Sequence, residues 1–459
     1  MASFEHSQSY GKYIPYLMLI SVKRTFDNFS KISEINQFRE EEIITFFHEY
    51  MHHVHNISTI VGMSRFNSII TLWHGIRNFN DGFRDSPQIR ELEKAISIQN
   101  QWFFNNDSIA ITENFQIKEI AELNHESPCS PIEIKCKSPK TSDLILVKFG
   151  IPEFMESAAF LLEETFRSKI YFPKKNNNVN FVPYKIGMSI AKHINHEISE
   201  YQVLHHFLAA MQAPEPHYSY LNSLKQLAPL KISDEIAIDI LKEFAKKQIK
   251  INQPWIENIE SQINKGFCYE DPLFGDIIKH VFHVLKNNLH LRNENPFKEV
   301  ELLENINIDN YQNSLNEVIR TFGGCVLIRD RDDTDEDEAN KDNMFFLKGN
   351  DNIDIDLRAW LVFQAAIHFT LCHINRNASQ EISIVETSEI SLKNPCQCPF
   401  FTCCLHENRK NLHSSQICKN SPWNHPKAIE NGDNCDYQVA VFKTQLENIT
   451  SCCTQQFSF

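Results

Sequence analysis

Two histidines and a glutamate at fixed spacing, His48-Glu49-Tyr50-Met51-His52, are the residues of this chain best suited to do chemistry. An α-helix turns once every ~3.6 residues, so His48 and His52 fall one turn apart on one face, where both imidazoles reach a single metal ion. Glu49 sits beside that face, close enough to take a proton from water that a zinc ion acidifies, without itself being a ligand. The flanks supply the helix. Ile43, Ile44, Phe47, Met51, Val54 and Ile57 recur at helical spacing and predict a buried stripe that holds the histidines rigidly. The acidic run Glu40-Glu41-Glu42, or Ser33 before Glu34, suits a helix start between residues 33 and 42. His53 is rotated about 100° from His52 and points away from the ion, and His55 lies ~10.5 Å along the axis from His48, too far to share it. A place on the surface is the expectation for His55.

An open zinc site takes a third protein ligand, most simply a carboxylate from a neighbouring helix. Helical periodicity returns after Gly150, and there Glu156 is followed by Ser157, Ala158 and Ala159, small enough for close packing on the metal helix. Glu156 is therefore the expected third ligand. Glu153, three residues earlier, and Glu163, two turns later, are the substitutes if this helix docks at another height.

His48-Glu49-Tyr50-Met51-His52 followed by Glu156-Ser157-Ala158-Ala159 on a later helix resembles the zincin metallopeptidases, in the arrangement where a downstream Glu is the third ligand. It also resembles the cytosolic bacterial HExxH peptidases that include phage-exclusion enzymes. The resemblance covers roughly residues 30 to 170. It departs from the family in the long interval between His52 and Glu156, and in Phe160, which stands where an Asp often follows the ligand Glu. It implies a Zn2+ ion on His48, His52 and Glu156, with Glu49 as general base in the cleavage of a restricted protein or peptide substrate. A regulatory protein partner and a defence or stress response follow by analogy. Such peptidases often stabilise the oxyanion with a Tyr or His. Tyr184, His205, His217 and Tyr218 are available, and the sequence does not choose among them.

Two other readings use the same residues. A zinc hydrolase acting on a small amide would share the ligands and the base but enclose a narrow pocket. A non-enzymatic interaction protein would keep metal for stability alone, and would have no use for Glu49 beside the histidines.

These residues need a scaffold. At 459 residues and 53.5 kDa the chain can bury a large core. Its net charge of -14 argues against a nucleic-acid-binding surface. The apolar run Tyr13 to Val22 is too short to cross a bilayer and reads as a strand, and no later run reaches membrane-spanning length, so no membrane partner is expected. Thirteen cysteines, an odd number without a secretory signal, suggest a reducing cytoplasm.

Ser86 to Trp102 reads as a helix, Ile109 to Ile117, Ile132 to Cys136 and Leu144 to Phe149 as strands of a small antiparallel sheet, and Gly187 to Met211 as one long helix. Residues 233 to 321 carry three or four amphipathic helices, Cys325 to Ile328 a strand, Asp330 to Asn340 an acidic loop, and Leu357 to Ile374 the last strong helix. In the tail, Cys396, Cys398, Cys403, Cys404, His406, Cys418 and Cys435 suggest a second, structural zinc held by four of them. The expected fold is α+β and predominantly helical. A zincin-like catalytic helix pair with a small antiparallel sheet occupies residues 1–225, a helical region with the acidic loop 226–390, and a Cys-rich region 391–459.

Overall fold

The computed structural model describes residues 11–14, 18–22, 40–77, 87–102, 115–122, 130–138, 140, 143–170, 180–266, 274–329, 344–346, 356–376, 382–385, 387, 390, 397–401, 412–424 and 435–444. The acidic run Asp330 to Asn340 lies outside them. In chain order the elements are β1 (Gly11–Ile14), β2 (Leu19–Val22), α1 (Glu40–Ser58), α2 (Ile60–Arg77), α3 (Pro87–Asn100), β3 (Gln116–Ile120), β4 (Ile132–Lys137), β5 (Leu144–Phe149) and α4 (Ile151–Lys169). There follow α5 (Ile186–Ile194), α6 (Glu200–Ala210), α7 (Pro216–Leu227), α8 (Asp234–Gly266), α9 (Gly275–Glu294), α10 (Lys298–Glu304) and α11 (Tyr311–Phe322). The last are β6 (Val326–Arg329), β7 (Met344–Phe346), α12 (Leu357–Cys372), β8 (Ile374–Arg376), β9 (Ile382–Ile384), α13 (Leu412–Asn420) and α14 (Asp436–Thr444). The protein is predominantly helical with small sheets, and no helix among the described residues is long and apolar enough to cross a membrane.

Three short sheets accompany the helices. The first has the order β1-β2-β6-β7, in which β1 and β2 form an antiparallel pair, β6 runs parallel to β2, and β7 is antiparallel to β6. β3, β4 and β5 form an antiparallel meander, and β8 pairs with β9. The run Tyr13 to Val22 is thus two strands where one was expected. Pro15, which has no N–H for a ladder, falls between them.

The long helix expected over Gly187 to Met211 is two. α5 stops at Asn195, whose backbone is extended, and α6 restarts behind Ser199, whose hydroxyl accepts the N–H of Gln202 at 2.9 Å. A local cap outweighs periodicity there. Residues 233 to 321, read as three or four amphipathic helices, form four among the described residues, α8 to α11.

α1 runs through the centre of the core. Ile43, Ile44, Phe47, Met51, Val54 and Ile57 are all buried, and the helix packs against β1, α2, α4 and α9. It turns sharply into α2: Ser58 and Thr59 hydroxyls cap back onto the Val54 and His55 carbonyls at 2.6 Å each, and Gly62 sits so close to the corner that a Cβ there would lie 1.9 Å from the Asn56 carbonyl oxygen. α4 is fixed at its start by Glu153, whose carboxylate accepts the Gly150 N–H at 3.0 Å. One hydrophobic cluster extends from Tyr13 to Val441 and encloses both helices.

Candidate metal centre

α1 and α4 bring three ligand-type side chains together. The Nε2 atoms of His48 and His52 are 3.2 Å apart, and Oε2 of Glu156 lies 3.3 Å from each. This near-equilateral triangle of two imidazole nitrogens and a carboxylate oxygen is the one such group of three among the described residues. Two donors at ~2.0 to 2.1 Å from a tetrahedral ion stand about 3.3 to 3.4 Å apart, so the triangle has dimensions that a metal ion could fit. The histidines are buried, while the Glu156 side chain keeps 22% of its exposure, leaving the centre open on that side.

The other ring nitrogen of His48 also faces a carboxylate. Glu163 Oε2 lies 3.0 Å from Nδ1, close but oblique to the N–H direction. Glu163 is in turn held by Arg167, one turn on, at 2.6 Å. In the neutral ring that a metal ligand requires, a carboxylate beside Nδ1 favours the tautomer with its proton there and leaves the Nε2 lone pair toward His52 and Glu156. Glu163 thus sits behind a ligand and does not replace Glu156. Glu153, the other substitute, is consumed by the Gly150 cap.

The electrostatics describe a place that wants a cation. Burial opposes charge on His48, but Glu156 and Glu163 more than offset it and push its pKa up to about 10. Burial would raise Glu156, and the two histidines overturn this and hold it well below the usual carboxylate range. For Glu49 burial prevails: its pKa is raised, with Glu156 adding to the effect and His48 and His52 opposing it. Glu49 itself accepts the backbone N–H of Tyr13 at 2.7 Å.

Of the four residues weighed for oxyanion stabilisation, Tyr184 is at the centre. Its ring lies 6.0 Å from that of His48 and 5.7 Å from that of Phe160. The segment carrying it is fastened to α4 by Ser157, whose hydroxyl donates to the Pro183 carbonyl at 2.7 Å and accepts the Gly187 N–H at 3.2 Å. Burial first, then the carboxylates of Glu156, Glu49 and Glu163, raise the Tyr184 hydroxyl well above its ordinary value, so it stays a donor. His205 bonds the Tyr201 carbonyl at 2.8 Å, His217 the Ser130 carbonyl at 3.1 Å, and the Tyr218 ring packs on His217 at 5.7 Å.

His53 faces away from the ligands, as its rotation requires. Its Nδ1 is 3.3 Å from the Tyr13 hydroxyl, and burial depresses its pKa to about 3. His55 corrects an expectation: it is fully buried, with Nε2 3.5 Å from Glu299 Oε1. In the tail, the Cys398 N–H donates to the Cys418 carbonyl at 2.8 Å. Cys398, Cys418 and Cys435 do not form a metal-ligating group among the described residues, and Cys396, Cys403, Cys404 and His406 lie outside them.

No family model, curated protein or solved structure matches this chain. The side-chain geometry therefore carries the functional argument alone.

Proposed function

We propose that this chain is a zinc-dependent metallopeptidase of the zincin kind, cleaving peptide bonds of a restricted protein substrate in the cytoplasm. The single observation that carries the reading is the triangle of His48, His52 and Glu156, with sides matching a tetrahedral ligand set, beside a glutamate that is not part of it. A purely structural site would close its fourth position with another protein ligand, whereas among the described residues this group has three members and is flanked by a base. A divalent ion held by His48, His52 and Glu156 would supply Lewis acidity, lowering the pKa of water toward ~7 and polarising a carbonyl.

The chain's own residues do the rest. Glu49, steadied at one oxygen by Tyr13, takes the proton of the attacking water at its other oxygen and returns it to the leaving amine. Glu163 holds His48 in the tautomer that presents Nε2. Tyr184, a protonated hydroxyl on the rim, donates to the oxygen on which charge develops. The cysteines between Cys396 and Cys435 support a second, structural zinc.

The test uses the full chain loaded with Zn2+ and a mixed peptide library read by mass spectrometry. Wild type should cleave a narrow set of sequences, and Glu49→Gln should lower turnover by about 10²- to 10⁴-fold while keeping its zinc. No cleavage by wild type, or full cleavage by Glu49→Gln, overturns the reading.

A further inference from the structure

β1 is an edge strand of the mixed sheet, paired with β2 on one side and lying across α1 on the other. Its approach to the helix is unusually close at one residue. A Cβ on Gly11 would lie 2.8 Å from Cγ2 of Thr45 and 3.1 Å from Cγ of Glu49, and Thr45 is one turn before Glu49 on the same face. A Cβ under 3.0 Å from Thr45 forces something to move, so any side chain at residue 11 would displace the strand or push Thr45 and Glu49 aside. Two residues on, the strand is anchored by the Tyr13 side chain, which is buried, stacks nearly parallel to the His52 ring at 6.5 Å, and places its hydroxyl against His53. Between these constraints a single main-chain group, the Tyr13 N–H, meets the Glu49 carboxylate at 2.7 Å. That is the length of a charge-assisted hydrogen bond.

We propose that Gly11 and the backbone N–H of Tyr13 are positioning residues for Glu49: the absent side chain at residue 11 lets β1 deliver a fixed donor that holds Oε2 and leaves room for Oε1, which would lie 3.5 Å from a Cβ at residue 11, to serve the centre. The proposal rests on the metallopeptidase reading, and it names a part of the machinery that no side-chain motif contains. A glutamate beside a metal has several rotatable bonds and, untethered, samples conformers that face away from the reacting water. A strand backbone cannot swing, so a main-chain donor is a firmer tether than a flexible side chain. Misplacement by about 1 Å costs such a group on the order of 10²-fold in effectiveness.

The experiment needs no substrate. Full-length protein is loaded with Co2+, and acetohydroxamate is titrated in while the visible absorption of the cobalt is followed. A hydroxamate binds the ion through its two oxygens and gives a proton or hydrogen bond to the neighbouring base, so its affinity reports where Glu49 points. Gly11→Ala should bind Co2+ one-to-one as wild type does, melt within a few degrees of it, and bind acetohydroxamate roughly 10-fold more weakly. Glu49→Gln should show at least that loss. Lys12→Ala, exposed on the same strand, should show none.

Because Gly11→Ala also adds bulk, and fails as a probe if it does not fold, a second variant replaces the Tyr13 amide with an ester, which deletes the N–H and adds no atom. It should weaken acetohydroxamate to a similar degree. Wild-type affinity in the ester variant, with Glu49→Gln weakened, overturns the proposal and leaves the metallopeptidase reading standing. Failure of the wild-type centre to bind Co2+ overturns both.

Discussion

α1 carries two histidine–carboxylate clusters within two turns of each other, and they end differently. At the first, His48 and His52 face Glu156, and among the described residues the triangle holds no arginine or lysine. At the second, His55 faces Glu299, and the Arg292 guanidinium grips that carboxylate with both terminal nitrogens while donating from Nε to the Ser58 hydroxyl at 3.1 Å and from Nη1 to the Pro296 carbonyl at 2.9 Å. His55, Glu299 and Arg292 are all essentially without exposure, whereas Glu156 is part open. Histidines on one helix thus give a closed structural knot where an arginine joins the carboxylate, and a candidate metal centre where, among the described residues, none does. Arg167, the cation beside the first cluster, is engaged by Glu163 and Glu164 behind His48.

The largest expected effect tests that division directly. Removing Arg292 leaves Glu299 buried without its main partner, so Arg292→Met should destabilise the fold by about 3 to 5 kcal/mol. Glu156→Gln, measured without metal, should cost far less and instead lose the ion. Urea denaturation of both variants decides it, and equal losses would erase the distinction between knot and centre.

The same knot predicts a pH dependence. Burial would raise the Glu299 carboxyl, but Arg292 and then His55 overcome this and bring it from 4.5 down to about 2. A depressed carboxylate stabilises the fold above its unfolded pKa and loses that contribution as pH falls. Stability should therefore decline from pH about 4.5 toward 2, and Glu299→Gln should flatten that part of the curve.

A smaller effect sharpens the other side of the comparison. If Glu163 fixes the tautomer of His48, Glu163→Gln should weaken zinc by about 10- to 100-fold in a chelator competition, with Glu156 and both histidines intact. Unchanged affinity would reduce Glu163 to a partner of Arg167.

Much of this was legible in the sequence because it is local. The apolar stripe of α1 is a periodicity, the bounds of β5 agree with a run of strand-forming residues, and Glu156 stands out by its small neighbours. What escaped is non-local or made by the main chain. Tyr13 reaches Glu49 across 36 positions through a backbone N–H, which no residue type announces. The burial of His55 depends on Arg292, 234 positions beyond Ser58. Glu163 was visible as a carboxylate two turns past Glu156, but its height against His48 depends on how α4 docks, and that is set by the packing of the whole core. Tyr184 had signal only as one of four candidates. The hydroxyl of Ser157, next to Glu156, fastens its segment beside the triangle, a non-local contact that residue types do not announce.

The smallest effect concerns Glu153, which separates a carboxylate near the centre from one that serves it. Glu153 is buried three residues before Glu156 and belongs to the start of α4, where its side chain accepts the Gly150 N–H. Glu153→Ala should cost about 1 kcal/mol, the usual loss of a helix cap, by loosening the first turn. Zinc affinity should change less than in Glu163→Gln, because the ligand is one turn inside the helix and is held by the packing of Ala158 and Ala159 in the core. A loss of zinc from Glu153→Ala larger than from Glu156→Ala would mean that α4 docks at another height, with the carboxylates of 153 and 156 exchanging roles. The comparison between an open centre and a closed knot on α1 would then have to be redrawn around a different ligand.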